Sequence, residues 1–250
     1  MDILLKQSKR QKITLTTFFA YGFIGLMILY QPQNAVLLLF CLIVGVLIWW
    51  SLELGLDYKN VPFVYCMPIS WVLISYIFLA TIQNQIITLM TLIVFAILFH
   101  MLLLTLNLLV ISNIKNIPLK SAALSTIFLL GLLLIAMTIG IVIGFEITIY
   151  GQLGLIMFSI IIVGLTYLYS FNAGSIMIEI IAFIIMILPI TLCVYFGAIN
   201  RVVSIGVLTG WVGLLMGVLG HQVEKDISNK LIREYTFIGI ALVLIFLFVS

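Results

Sequence analysis

The ionisable and polar side chains that could do chemistry in this sequence stand in long apolar runs. Glu179 has no basic residue near it in sequence, and Pro189 follows in the same run. His100 lies in another apolar run, and Asn107 follows seven residues later, on the same face of a helix. Because a charge inside a membrane helix is costly, such a carboxylate is a candidate for binding an ion or a proton.

Each of these residues also has a structural interpretation. Glu179 could pair with Lys115 or Lys120, and His100 could form a hydrogen bond to a neighbouring helix. The two interpretations stay open, and Glu179, His100 and Asn107 form the candidate polar or ion site. If the chain transports a solute, we expect Glu179 to be the coupling carboxylate.

Motifs of familiar enzymes do not occur in the sequence. It contains no GxSxG, HExxH, P-loop or GxGxxG pattern, and its three cysteines form no CxxC pair. The two histidines, His100 and His221, are predicted at different depths, which argues against a haem held by both. The sequence therefore predicts no catalytic residue, no metal site and no cofactor.

The composition shows what must position the candidate residues. Of the 250 residues, 65% are hydrophobic and 8% are charged, whereas an ordinary soluble domain has about 25% charged residues. A soluble globular domain and an intrinsically disordered chain are both excluded. The net charge of +3 is small and dispersed, so we expect no nucleic-acid partner, and the lipid bilayer is the expected surrounding.

Hydropathy and turn residues predict one integral membrane domain over residues 1–250, an all-α polytopic transmembrane bundle of about nine spans. Runs such as Ala35–Trp50 are apolar on every face, which favours helices over a barrel. An eight-span alternative fuses or loses one of the two spans beside Asn172. The approximate limits of the nine spans are 13–30, 34–53, 61–81, 86–112, 119–145, 149–170, 175–197, 202–220 and 234–249.

The basic residues predict the orientation. With nine spans, ten of the eleven Lys and Arg residues fall on one side, and Arg201 falls on the other. The positive-inside rule then places the basic N-terminus (1–12) in the cytoplasm and the C-terminus outside a bacterial cell membrane. On the cytoplasmic side, residues 221–234 carry Val223, Ile227 and Leu231 at steps of four, which predicts a short amphipathic segment.

Small residues at helical spacing predict close helix packing. The eighth span carries five glycines at steps of four, three, four and three, and the fifth span carries a shorter row. Small residues let membrane helices approach closely, within one chain or at an interface with a partner protein or a second copy. The two rows are Gly206, Gly210, Gly213, Gly217 and Gly220, and Ala136, Gly140 and Gly144.

Three stretches carry a resemblance. They are Val61-Pro62-Phe63, the run from Leu106-Asn107 through Ile117-Pro118-Leu119 into Ala122-Ala123, and Arg233-Glu234-Tyr235. Together they resemble a family of uncharacterised multi-pass membrane proteins from bacteria with reduced genomes. The resemblance implies a bacterial membrane protein; the family has no assigned activity, so it implies no site residues.

Three classes of function fit these observations. The first is a structural, assembly or accessory subunit of a membrane complex, which agrees with the short loops and the packing rows. The second is a transporter or channel for a small solute or ion, which needs polar groups at one depth. The third is a membrane-embedded enzyme acting on a lipid, which needs a nucleophile or metal cluster that the sequence does not show.

Overall fold

The computed structural model describes residues 8–30, 34–52, 62–115, 120–144, 149–169, 201–224 and 229–249. Within these ranges the chain is all-helical, with eight helices and no strand. In chain order the helices are α1 (Lys9–Tyr30), α2 (Asn34–Leu52), α3 (Pro62–Ala80), α4 (Gln85–Lys115), α5 (Lys120–Gly144), α6 (Ile149–Tyr169), α7 (Arg201–Glu224) and α8 (Asn229–Val249).

Three stretches of helix among the described residues are long and apolar enough to cross a membrane. They are Lys9–Tyr30, Gln85–Leu109 and Ala122–Val142. Shorter apolar stretches occur in α2, α3, α6 and α7. The eight helices overlap eight of the nine predicted spans, and the predicted span at 175–197, with Glu179, lies outside the described residues.

Several helices are longer than the predicted spans. Helix α4 continues to Lys115, α7 continues to Glu224, and α8 begins at Asn229. Hydropathy detects only the apolar part of a helix, whereas its hydrogen bonds continue through polar turns at each end. The described part of the predicted segment 221–234 is divided between the last turn of α7 and the first turns of α8.

The chain divides into two compact units, Met1–Leu130 and Gly131–Ser250, with the division inside α5. In the first unit, α1 packs against α2, α3 and α4. Side-chain contacts show that α1 runs antiparallel to α2, because Lys12 meets Trp50 and Phe23 meets Phe40. Helices α1 and α4 are also antiparallel, because Thr17 meets His100 and Gly25 meets Leu92.

Local hydrogen bonds explain where two of these helices begin. At the start of α1, the backbone N–H of Ser8 donates to Gln11 Oε1 at 2.9 Å, and the N–H of Gln11 donates to Ser8 Oγ at 3.4 Å. This reciprocal pair is a capping box. Before α4, Asn84 Oδ1 accepts from the N–H groups of Ile86 and Ile87, as an N-cap residue does.

In the second unit, α7 packs against both α6 and α8. The contacts between α7 and α8 run in opposite sequence order, since Gly217 faces Tyr235 and Gly210 faces Leu242. The two helices therefore form an antiparallel hairpin. Helix α5 approaches α6 at Gly131, whose backbone lies directly against the Val163 side chain.

Candidate functional site

A buried polar face on α1 is the main concentration of polar side chains in the described part of the first unit. Lys12, Thr16, Thr17 and Tyr21 are all buried. Their spacing of four, one and four residues places them on one side of a helix. We call these residues, together with their partners on the other three helices, the polar ladder.

The centre of the polar ladder is the hydroxyl of Tyr21. The indole N–H of Trp71 donates to Tyr21 Oη at 3.0 Å, and the Tyr21 hydroxyl donates to Ser75 Oγ at 3.2 Å. Trp71 and Ser75 are four residues apart on α3, so one face of that helix supplies both partners. The ring of Tyr21 also lies 5.6 Å from that of Phe99 on α4. One tyrosine thus joins three helices.

His100 reaches the polar ladder from α4. Its Nδ1 atom lies 3.4 Å from the hydroxyl oxygen of Thr17. The same Thr17 hydroxyl donates its one proton to the backbone carbonyl of Ile13 at 3.0 Å. The Thr17 oxygen must therefore accept from His100, which assigns the proton of the neutral ring to Nδ1. A histidine that hydrogen-bonds a neighbouring helix is what its structural interpretation expects.

The remaining contacts of the polar ladder join α1 to α2. The Thr16 hydroxyl donates to the backbone carbonyl of Leu47 at 3.3 Å. Lys12 is only 5% exposed, and its Nζ atom stands 5.3 Å from the centre of the Trp50 ring. This is a cation–π distance, and it places the ammonium group against an aromatic face instead of in an apolar core.

The arrangement of the polar ladder suits packing better than catalysis. The residues described for it include no carboxylate or thiol, and the Thr17 proton that His100 would have to accept is already donated to a carbonyl. In the part of the chain that the structure describes, no group of three or more His, Cys, Asp or Glu residues could hold a metal ion. The hydroxyls of Thr16, Thr17 and Tyr21 instead each donate a hydrogen bond inside the first unit.

The structure describes two of the three residues of the predicted polar site. His100 contacts α1, and Asn107 lies half-buried two turns further along α4. Glu179 lies outside the described residues, so its relation to them stays a prediction. Tyr21, Thr17 and their partners were not among the residues predicted from the sequence. The signal that would have found them is the spacing of polar residues along one face of the first apolar run.

The glycines of α7 face different neighbours. A Cβ atom at Gly217 would stand 2.6 Å from the Tyr235 hydroxyl oxygen, and one at Gly210 would stand 2.9 Å from a methyl carbon of Leu242. A Cβ atom at Gly213 would instead meet Leu132 of α5 at 3.1 Å. Gly210 and Gly217 therefore allow α8 to approach α7 closely, whereas Gly213 allows a close approach of α5.

The other residues of the two predicted rows are distributed along α7 and α5. A Cβ atom at Gly206 would have no neighbour within 4 Å. Ala136 and Gly140 are half-buried in α5, and Gly144 is its last residue. Gly220 lies near the end of α7, one turn before Glu224.

Comparison with known proteins adds no family. No protein-family model, no curated protein and no solved structure matches the chain. The function must therefore be argued from the packing, exposure and hydrogen bonds of the described residues.

Proposed function

We propose that this chain is a multi-pass protein of a bacterial cell membrane, with nine spans, its N-terminus in the cytoplasm and its C-terminus outside. We further propose that it serves as a structural, assembly or accessory subunit of a membrane complex. The observation that carries the second proposal is the set of large, fully buried side chains between helices of the first unit, beside polar groups that bond to one another.

Large side chains occupy the interior between α1, α3 and α4. Trp71 and Phe99 have no exposed surface, and neither do Met67, Leu102 and Leu106. Protein interiors of this kind are close-packed and hold few voids larger than a water molecule. Large buried side chains at this place favour a packing component over a carrier, because a carrier needs room and free polar groups at the depth of its solute.

The outer faces of α1, α2 and α4 are apolar and exposed, which suits a lipid surrounding or a partner protein. So many exposed large hydrophobic side chains on neighbouring helices would be unusual on a soluble monomer. Exposed large hydrophobic residues of the first unit include Phe18, Leu26 and Leu29 on α1, Leu39, Leu42 and Val46 on α2, and Met90, Ile93 and Ile97 on α4.

Photo-crosslinking in intact membranes tests the subunit proposal. A crosslinking amino acid is placed at Ile93 or Ile97 on the outer face of α4, at Leu42 on α2, or at the fully buried Phe99 as the control. We expect the outer positions of one face to share a protein adduct of one mass. The control should react only within its own chain.

The result that would contradict the proposal is adduct formation with lipid alone at every outer position. The chain would then work without a protein partner. An adduct with the mass of two copies of this chain would identify the partner as a second copy, which keeps the proposal as a homo-oligomer.

Transport of a small solute or ion is the second candidate, and the polar ladder is the observation that favours it. Thr17 and Tyr21 on α1 and His100 on α4 place hydroxyl and imidazole groups between apolar helices. In this case Glu179 would be the coupling carboxylate. Glu179→Gln should then abolish a pH-dependent flux in reconstituted vesicles while the protein stays folded. Unchanged flux, or unfolding that a Lys→Met change at Lys115 or Lys120 rescues, would remove Glu179 from the transport hypothesis.

A further inference from the structure

The two ends of the first unit differ in charge. The end at which α1 begins carries Lys9 and Arg10 on the surface, and the buried Lys12 follows one turn later. At the opposite end, neither the sequence 30–34 between α1 and α2 nor the sequence 80–85 between α3 and α4 contains a charged residue. All the polar side chains of these two connections are neutral, mostly amides.

The charge of the whole first unit has the same sign. Residues 1–130 include seven Lys or Arg and three Asp or Glu. Within the described residues of this unit, every charged side chain is a cation. Glu53 and Asp57, which follow α2 in sequence, lower this positive charge but do not cancel it.

An exposed tryptophan accompanies the cations. Helix α2 ends beside the start of α1, because Lys12 stands over the ring of Trp50 and Thr16 bonds to the carbonyl of Leu47. The neighbouring Trp49 is 60% exposed. Tryptophan is enriched at the level of lipid headgroups, where its ring contacts acyl chains and its N–H group meets polar atoms.

We propose that the end of the first unit where α1 begins binds anionic phospholipid headgroups, with Lys9 and Arg10 as the contacting cations and Trp49 at the headgroup boundary. The positive side chains of Lys9 and Arg10 complement the negative charge of the lipid phosphate. Lys12 adds a buried positive charge at the same end, where its ammonium group lies against the Trp50 ring. This inference rests on the proposed membrane location and names the lipid class that the surface prefers.

Spin-labelled lipids test the preference directly. The full-length protein is reconstituted in vesicles of phosphatidylcholine that contain a trace of spin-labelled phosphatidylglycerol or spin-labelled phosphatidylcholine. The motionally restricted fraction of each label measures which lipid lies against the protein. We expect phosphatidylglycerol to be preferred, and we expect salt to weaken the preference because ions screen exposed charges.

The variants are Lys9→Gln, Arg10→Gln and the double change, and the matched control is Arg233→Gln. Arg233 is also an exposed cation, but Glu234 follows it on α8. Each cation removed from α1 should weaken the relative affinity for phosphatidylglycerol by at most about fivefold. The control should leave it nearly unchanged, and circular dichroism should show equal helix content in all variants.

Two failures are distinguishable. If the protein restricts neither label and does not float with the vesicles, the membrane location itself is wrong. If it floats and restricts both labels equally, or if Arg233→Gln lowers the preference as much as Lys9→Gln, the lipid-binding surface is overturned and the membrane location stands.

Discussion

The contacts described between helices differ in kind between the two units of this chain. In the first unit, hydrogen bonds and aromatic contacts pass from helix to helix, as between Tyr21, Trp71 and Ser75. In the second unit, the hydroxyls of Thr138, Ser159 and Thr166 each donate to a carbonyl of their own helix. Close contacts between helices are described there at Gly131, Gly210 and Gly217.

The glycine contacts of the second unit are reciprocal. Tyr235 and Leu242 of α8 lie over Gly217 and Gly210 of α7, and Leu214 of α7 lies 3.6 Å from a Cβ position at Gly239 of α8. Large side chains of each helix thus fit against glycines of the other. Backbones that approach closely gain van der Waals contact, which is a main source of helix association in lipid.

The comparison shows two solutions to one problem. Between helices in a bilayer there is little hydrophobic driving force, because lipid tails are as apolar as leucine. Among the contacts that the structure describes, the first unit joins helices through polar side chains that bond to one another, and the second brings helices together where large side chains meet glycines. The two solutions should respond differently to mutation, and four substitutions test this from the largest expected effect to the smallest.

Trp71→Ala should cause the largest loss in the first unit. It removes a fully buried indole and one hydrogen bond to Tyr21. Removing a buried large aromatic side chain costs about 3–5 kcal/mol. The measurement is the free energy of unfolding in mixed micelles titrated with a denaturing detergent. Trp49→Ala, at an exposed position, is the control and should change this free energy little; equal losses would mean that Trp71 is not in a packed core.

Gly217→Leu should destabilise the second unit next most strongly. The new side chain would collide with Tyr235, and overpacking costs about 1–3 kcal/mol. Gly206→Leu in the same helix is the matched control, since a Cβ atom there meets nothing within 4 Å. Thermal unfolding of both variants in one detergent measures the difference. Equal melting temperatures would show that the glycines do not admit α8.

Tyr21→Phe should have a smaller effect that belongs to the first unit alone. It keeps the ring and removes the hydroxyl that Trp71 and Ser75 share. Interhelical hydrogen bonds in membrane proteins contribute about 0.6–1.7 kcal/mol each, so we expect a loss of about 1–2 kcal/mol in detergent unfolding. Tyr30→Phe, at an exposed ring, should cost almost nothing. A Tyr21→Phe variant as stable as the parent would show that the polar ladder does not stabilise the first unit.

Thr17→Val should have the smallest effect. Its contact with His100 is long at 3.4 Å, and its hydroxyl mainly bonds to its own helix. We expect a loss of about 0.5 kcal/mol or less. Thr14→Val, whose hydroxyl is exposed and bonds only locally to Arg10, is the control for helix propensity. A loss above that of Tyr21→Phe would place the centre of the polar ladder at His100.

The contrast also explains what the sequence could predict. Eight of the predicted spans overlap helices, because a run of about 20 apolar residues is a strong signal for one. The close contacts at Gly210, Gly213 and Gly217 could be anticipated from spacing alone, since small residues at steps of three and four share a helix face. The helix that packs against each glycine could not be predicted, because the spacing of residues along one helix does not identify its neighbour.

The polar ladder was harder to anticipate for a physical reason. Threonine and tyrosine in an apolar run hardly change its hydropathy, and Trp71 and Ser75 join them only through the packing of α3 on α1. A charged residue such as Glu179 is easily recognised in an apolar sequence, whereas the hydrogen bonds of Thr16 and Tyr21 to other helices are made by neutral groups. Tyr21 and Trp71 are fifty residues apart in sequence, and only the fold brings them together.

The central claim is that the chain crosses the membrane an odd number of times, and reporter fusions test it most directly. One reporter is placed between Lys115 and Lys120, in the connection from α4 to α5, and another follows Ser250. We predict that the first reporter is cytoplasmic and the second is outside the cell membrane. Reporters on the same side would contradict the nine-span account.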